Sequence, residues 1–231
     1  MQQLPLGVRL RERAAFDVFV VSAPNLEAVT RLRQVAMGGG VVWLWGAPGA
    51  GRSHLLQAAV AASPPASRAG YLPVAELLAD GLSVVAALEG AGALDLLCLD
   101  DIDLVLGRRD AELALFSVYR ALEERRAGLV VSANAPPPSQ PWSLADIGSR
   151  FGAAEVFQLR SLDEEGQSEA LRRRAAARGL DLPDETLRWL LRRFPRDMTR
   201  LGALLDQIDE ASLREQRRVT VPFVRTILGD P

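Results

Sequence analysis

Val41-Val42-Trp43-Leu44-Trp45-Gly46-Ala47-Pro48-Gly49-Ala50-Gly51-Arg52-Ser53-His54-Leu55-Leu56 is the stretch from which the rest of the chain is read. Five apolar residues predict a buried strand, a glycine-rich turn follows, and an Ala/Leu run opens a helix. Strand, turn and helix in that order are the setting a phosphate-binding loop requires. Gly46, Gly49 and Gly51 let the backbone close around an anion, so that N–H groups of residues 46–53 converge on it ahead of the positive end of the helix. Ser53 supplies a hydroxyl for Mg²⁺. The pattern GxxxxGK[ST] is met at every position but one, because Arg52 stands where lysine is usual. Arginine keeps the charge but replaces a compact ammonium by a planar fork, so the contact with the β- and γ-phosphates must be rearranged. Nucleotide binding is expected to survive that exchange and self-hydrolysis to be weak. All 27 basic residues are arginine, so part of the exchange is compositional, which does not restore the geometry of a lysine. An ordinary glycine-containing turn is the competing reading, and the flanking pattern weighs against it.

At 231 residues the chain suffices for one large domain, or one domain with a small appendage. A hydrophobic fraction of 48% and a net charge of −2 describe a globular protein. After Ser161 arginines and acids balance, so neither half is a basic block, and DNA contact is expected to be indirect or weak. The single Cys98 lies in an apolar run and has no partner for an internal disulfide, which suits a reducing cytoplasm. Neither an apolar signal segment nor a membrane-length apolar run is present, so a cytoplasmic protein without membrane association is expected. One histidine excludes multi-histidine metal sites, and a packing or capping role is expected of His54.

Residues 1–15 read as a short tail in which Gln3, Leu4 and Leu6 flank Pro5; a frayed end and a short linear peptide are both open there. Residues 16–21 predict a short strand. Asn25 is a candidate cap for a helix whose apolar face is Leu26, Val29, Leu32 and Val35. Further on, the pattern predicts a helix over 53–62, a strand over 69–74, a short helix over 75–78 and a helical turn over 84–88. An apolar strand, Leu94 to Leu99, then runs into Asp100-Asp101-Ile102-Asp103. A buried strand ending in carboxylates is how P-loop enzymes set a metal-binding acid opposite the phosphate loop. Asp100 is thus a candidate Mg²⁺ ligand and Asp101 a candidate for polarising the attacking water. Residues 111–126 predict an amphipathic helix with Leu113, Phe116, Val118 and Leu122 inward. A strand over 128–133 ends at Asn134, placed to orient water or else a turn residue before three prolines. A short helix over 144–151 carries Arg150, and a last strand covers 156–159. Beyond Ser161 the pattern is helical throughout: 162–178 with Arg172-Arg173-Arg174 as a solvated face, 183–194, 196–217 and 222–228. These helices read as a small bundle, a lid on the sheet domain.

Gly46-Ala47-Pro48-Gly49-Ala50-Gly51-Arg52-Ser53-His54-Leu55-Leu56, Asp100-Asp101-Ile102, Asn134, Ser149-Arg150-Phe151 and Leu205-Asp206-Gln207-Ile208-Asp209 together resemble AAA+ ATPases of the replication-initiator clade, and among them the regulatory inactivators. The resemblance covers nearly the whole chain, lacks the initiator's C-terminal DNA-binding domain, and includes arginine at the Arg52 position. It implies an α/β fold: a three-layer αβα P-loop domain with a parallel sheet over 16–160, then an all-helical lid over 161–231, after a tail of residues 1–15. Gly46, Ala47, Pro48, Gly49, Ala50, Gly51, Arg52, Ser53 and His54 would hold ADP or ATP with Mg²⁺, mainly ADP. The lid arginine of the clade falls near Thr199, which leaves Arg196 and Arg200 as candidates. Gln3, Leu4 and Leu6 resemble the peptide that docks on the DNA polymerase III sliding clamp (beta subunit). Arg150 resembles the clade's arginine finger, where an arginine from a neighbouring molecule stabilises charge on the γ-phosphoryl group, an effect of roughly 10³ to 10⁵ in rate; taken without the family, Arg150 reads as a surface arginine paired with Asp146. The implied function is inactivation of the initiator DnaA by promoting hydrolysis of its ATP, with a homodimer or higher oligomer among the assemblies open to it. A helicase-loader type ATPase using Asp101 and Asn134, and a clamp adaptor without effect on hydrolysis, are the alternatives.

Overall fold

The computed structural model describes residues 14–194 and 198–229. Five strands form one sheet in the order β2-β3-β4-β1-β5, with every neighbouring pair parallel. They are β1 (Gly40–Gly46), β2 (Ala69–Pro73), β3 (Leu96–Asp100), β4 (Gly128–Ala133) and β5 (Glu155–Leu159). Parallel strands need crossovers, and a sheet covered on both faces calls for continuous apolar strands such as Leu96-Leu97-Cys98-Leu99 and Leu129-Val130-Val131. α1 (Leu26–Gly38) precedes β1, and the crossovers carry α2 (Arg52–Ala61), α3 (Val74–Ala79), α4 (Val84–Glu89), α5 (Arg109–Glu124) and α6 (Ala145–Gly152). Alternate residues split between the faces. Trp43, Leu97, Leu99, Leu129 and Val131 share one core with Leu88, Leu115, Val118, Leu122 and Phe151. Val42, Leu44, Leu96, Cys98 and Val130 are buried on the other face, where Val35 of α1 lies against Gly128. The parity matters for function: it puts Asp100 and Ser132 on the second face.

After β5 the chain is helical: α7 (Glu164–Ala177), α8 (Asp184–Arg193), α9 (Met198–Glu215) and α10 (Val221–Leu228). Asp163 caps α7 by accepting from the N–H of Gly166, and Gly179 ends it at φ +69°. Leu171, Leu187, Leu190, Leu201, Leu205, Ile208 and Val224 form the core of these helices. Two compact units result. One takes Ala23–Ala47 and Arg52–Arg160; the other takes Ser161 onward together with Asp17–Ser22 and Pro48–Gly51.

Several expectations change. Residues 16–21 form no strand: Phe16 and Phe19 are buried anchors, Phe16 beneath the Arg33 guanidinium at 4.7 Å and Phe19 against Gly51. Their apolar character reflects two plugged side chains, not a ladder. Asn25 caps nothing; its amide pairs with the main chain of Arg160, donating to the carbonyl at 2.8 Å and accepting from the N–H at 2.8 Å. Leu113 is 48% exposed, because the buried stripe of α5 runs through Ala111, Ala114, Leu115, Val118 and Leu122. Arg172-Arg173-Arg174 is not a uniformly solvated face, since Arg174 donates to the Met198 carbonyl at 2.8 Å and Arg173 to that of Phe19 at 3.4 Å.

Candidate functional site

β1 ends at Gly46 and α2 opens at Arg52, so the turn between them joins a buried strand to the N-terminus of a helix. Gly46 is required by packing: a Cβ there would lie 2.4 Å from the Leu159 carbonyl oxygen of β5. Gly49 and Gly51 serve the turn itself, at φ +79° and +102°, where L side chains are strained. Ala47 and Pro48 are exposed and Ala50 is buried. Ser53 is exposed on the first turn of α2, and His54 places Nε2 2.9 Å from the Ala15 carbonyl oxygen.

Arg52 is buried, 8% exposed, and its guanidinium is turned towards the ends of β3 and β4. Nη2 donates to Oδ1 of Asn134 at 2.8 Å and lies 3.2 Å from Oδ1 of Asp101, while Nη1 is buried without a hydrogen-bond partner. Asp101 sits at φ +53°, an uncommon conformation for a non-glycine, with its N–H donating to the Ser132 hydroxyl at 3.0 Å. Ser132 in turn donates to Oδ1 of Asp100, and the Tyr71 hydroxyl donates to Oδ2 at 2.6 Å. Asn134 donates to Asp103 at 2.7 Å. Burial foremost, then the neighbouring Asp100 and Asp103, push the Asp101 carboxyl above its ordinary range, against the pull of Arg52. Burial and Asp100 likewise push the Tyr71 hydroxyl up.

Of the sequence-predicted residues, Arg52 therefore contacts both Asp101 and Asn134. Asp100 is 2% exposed and accepts from two hydroxyls. Among the described residues no three His, Cys, Asp or Glu side chains are grouped to hold a metal ion by themselves. A Mg²⁺ ion would thus need phosphate oxygens and Ser53, with Asp100 reached through water. The orphaned Nη1 donor, the left-handed glycines and the helix N-terminus fit a phosphate. Tyr71 and Ser132 were not candidates from the sequence. Ser132 carried a faint signal as a polar residue inside an apolar strand; Tyr71 read as one more strand aromatic.

Arg150 stands apart from this group, on the last turn of α6. Its partner is Glu123, at 2.9 Å, rather than Asp146, and its guanidinium carbon lies 5.5 Å and 5.4 Å from the ring centres of Phe116 and Tyr119. Arg200 is exposed on the first turn of α9. Arg196, Gln3, Leu4 and Leu6 lie outside the described residues.

Residues 10–155, more than half of the chain, match the family model of the bacterial DnaA ATPase domain. The chain belongs to the bacterial DnaA ATPase-domain family. In this DnaA-family chain residues 163–228 also match the model of the Hda lid domain. Domain III of the Thermotoga maritima replication initiation protein DnaA superposes with a TM-score of 0.76 at 22% identity, covering 96% of this chain and 98% of that one. AMPPCP-bound DnaA from Aquifex aeolicus gives 0.64 at 20% identity over 90% of this chain and 71% of that one. The Thermotoga maritima RuvB Holliday junction branch migration motor gives 0.63 at 15% identity, over 95% and 72%. At these identities the likeness is one of fold, the AAA+ architecture of a parallel α/β sheet followed by a helical lid. No helix among the described residues is long and apolar enough to cross a membrane.

Proposed function

We propose that this DnaA-related protein is a regulatory inactivator of the replication initiator: it holds ADP, docks on the DNA-loaded sliding clamp and promotes hydrolysis of the ATP bound to DnaA. Residues 46–53 would grip the diphosphate, with Nη1 of Arg52 as a waiting donor and Ser53 as the Mg²⁺ ligand. The bound ion would neutralise phosphate charge. Arg150 would be supplied to the nucleotide of DnaA, and Gln3, Leu4 and Leu6 to the clamp; the lid contact would fall to Arg196 or Arg200.

One observation carries this reading. Arg52 contacts both Asp101 and Asn134, the two groups the chain would need for its own turnover. A base neutralised by a buried guanidinium and a water-orienting amide already engaged favour retention of nucleotide over hydrolysis. The test measures loss of ATP from DnaA with and without this protein, in the presence of DNA-loaded clamp. Acceleration that needs the clamp and disappears with Arg150→Ala is expected; an initiator whose ATP decays at the same rate either way overturns the proposal. The raised pKa of Asp101 favours one rival, a loader with turnover of its own. Brisk hydrolysis by the isolated chain, abolished by Asp101→Asn, would select that rival.

A further inference from the structure

Glu112 is a fully buried carboxylate on the first turn of α5, 0% exposed, with no part in the nucleotide site. Its charge is met by N–H and O–H groups. Oε1 accepts from the N–H of Gly107 at 2.7 Å and of Ser143 at 3.0 Å. Oε2 accepts from the N–H of Ser143 at 2.9 Å, the Ser143 hydroxyl at 2.9 Å and the N–H of Leu144 at 2.7 Å. Burial alone would push this carboxyl up, yet the converging donors outweigh it and hold it below its ordinary range. Filling the same volume with an apolar side chain would avoid the desolvation cost. What a carboxylate adds is direction: it ties the start of α5 and the Gly107 turn to Ser143 and Leu144, which with Trp142 lead into α6.

Those residues set α6 in place. Leu144, at its N-terminus, makes no side-chain capping bond, and Glu112 takes the Leu144 N–H instead. Trp142 donates to the Pro137 carbonyl at 2.7 Å and stacks on Phe151 at 5.8 Å. It lies so close to α6 that a Cβ on Gly148 would meet its ring at 2.8 Å. Phe151 also packs edge-on to Tyr119 of α5 at 5.4 Å. Arg150, next to Phe151, lies along α5 over Phe116 and Tyr119 and against Glu123. The helix bearing Arg150 is thus held to α5 at both ends, by Glu112 at its start and by Phe151 and Arg150 at its finish.

We infer that Glu112 is a positioning residue for Arg150, a buried carboxylate strap that fixes where α6 delivers its guanidinium. The inference rests on the reading of Arg150 as the group supplied to ATP on DnaA. Its test is single-turnover hydrolysis of DnaA-bound ATP with the full chain, ADP and DNA-loaded clamp, comparing Glu112→Gln, Arg150→Ala and the double variant. Glu112→Gln turns one acceptor into a donor facing N–H groups. It is expected to lower the saturating rate at least tenfold, while the ADP Kd and the half-saturating concentration change less than twofold. Glu112→Asp should recover part of the rate, and the double variant should be no slower than Arg150→Ala alone. Loss with Arg150→Ala but full activity in Glu112→Gln overturns the strap and leaves the functional reading standing. Full activity in Arg150→Ala overturns that reading and the strap with it. Equal loss of ADP affinity and rate in Glu112→Gln marks a general structural role and also overturns the strap. Should Glu112→Gln fail to fold, Ser143→Ala decides: a saturating rate lowered two- to fivefold with ADP binding intact supports the inference, and an unchanged rate overturns it.

Discussion

Asp101→Asn should tighten ADP binding, and the geometry gives the size. The Arg52 guanidinium lies 3.2 Å from Asp101 Oδ1, a separation worth about 5 kcal/mol of gross attraction at an effective dielectric near 20. Desolvation of a buried arginine offsets most of that, leaving a net of about 1–2 kcal/mol. A phosphate reached through Nη1 competes with this carboxylate for the one guanidinium charge, so removing the carboxylate's charge returns that amount to binding: roughly 5- to 30-fold in Kd. The free protein should not suffer, because burial and the adjacent Asp100 already disfavour ionised Asp101. Protonation should imitate the substitution. The folded-state pKa is raised, so the native protein holds this proton above the ordinary carboxylate range. Stability therefore falls as pH rises through that window, and ADP affinity should rise as pH falls through it. Isothermal titration of ADP into the wild type and Asp101→Asn across that range checks both points, since titration of the ligand itself cancels in the ratio. Equal affinities at every pH would refute the competition between Asp101 and phosphate for Arg52.

Arg52→Ala removes the one neighbour that lowers the Asp101 pKa, so NMR titration of that carboxyl should give a midpoint higher than in the wild type. Asn25→Ala leaves the N–H and carbonyl of Arg160 without their buried partner and should cost about 2–3 kcal/mol in urea unfolding. The Cys98 thiol, fully buried and pushed up by burial and then by Asp100, should react with a disulfide reagent at least about a thousandfold more slowly in the native protein than in the denatured one. Arg150→Ala breaks a half-exposed ion pair and two ring contacts and should cost no more than about 1–2 kcal/mol in thermal unfolding, so any large loss of activity in that variant is not loss of fold.

The sheet and helices were legible because their patterns are strong. Five apolar residues before Gly46, and the run ending in Asp100, read as strands without ambiguity. Residues 16–21 misled because two buried aromatics three apart imitate a strand when no ladder neighbour can be seen. Asn25 misled in the same way: before an apolar helix a side-chain amide signals a cap, and only the folded chain brings Arg160 to it. The candidate site was legible in its members and not in its wiring. Arg52, Asp101 and Asn134 each announce themselves by position, but that the guanidinium turns to Asp101 and Asn134, and that Ser132 takes the Asp101 N–H while it and Tyr71 hold Asp100, rests on contacts between residues far apart in sequence. Glu112 was invisible for a simpler reason, since a glutamate near a helix start ordinarily belongs in solvent.

Each of the two arginines central to the proposal has a resident carboxylate, and the difference between the two pairs bears on which arginine reaches a phosphate. Arg150 and Glu123 are 36% and 50% exposed in their side chains. Such a pair is worth about 0–1 kcal/mol, so a γ-phosphate on another molecule displaces Glu123 at little cost. Arg52 is 8% exposed beside Asp101 and bonded to Asn134 as well, and breaking that set leaves two groups behind with fewer partners. On the proposed function, action on a partner's nucleotide would therefore be energetically easier for this chain than turnover of its own. A loader would need the reverse arrangement, with its loop cation free and its catalytic acid unpaired. The ordering can be measured directly: the rate gained by DnaA-bound ATP on adding this protein should far exceed the rate at which the protein alone consumes ATP, and Arg52→Lys should narrow the gap by raising the second rate, since an ammonium contacts fewer acceptors at once than a guanidinium fork.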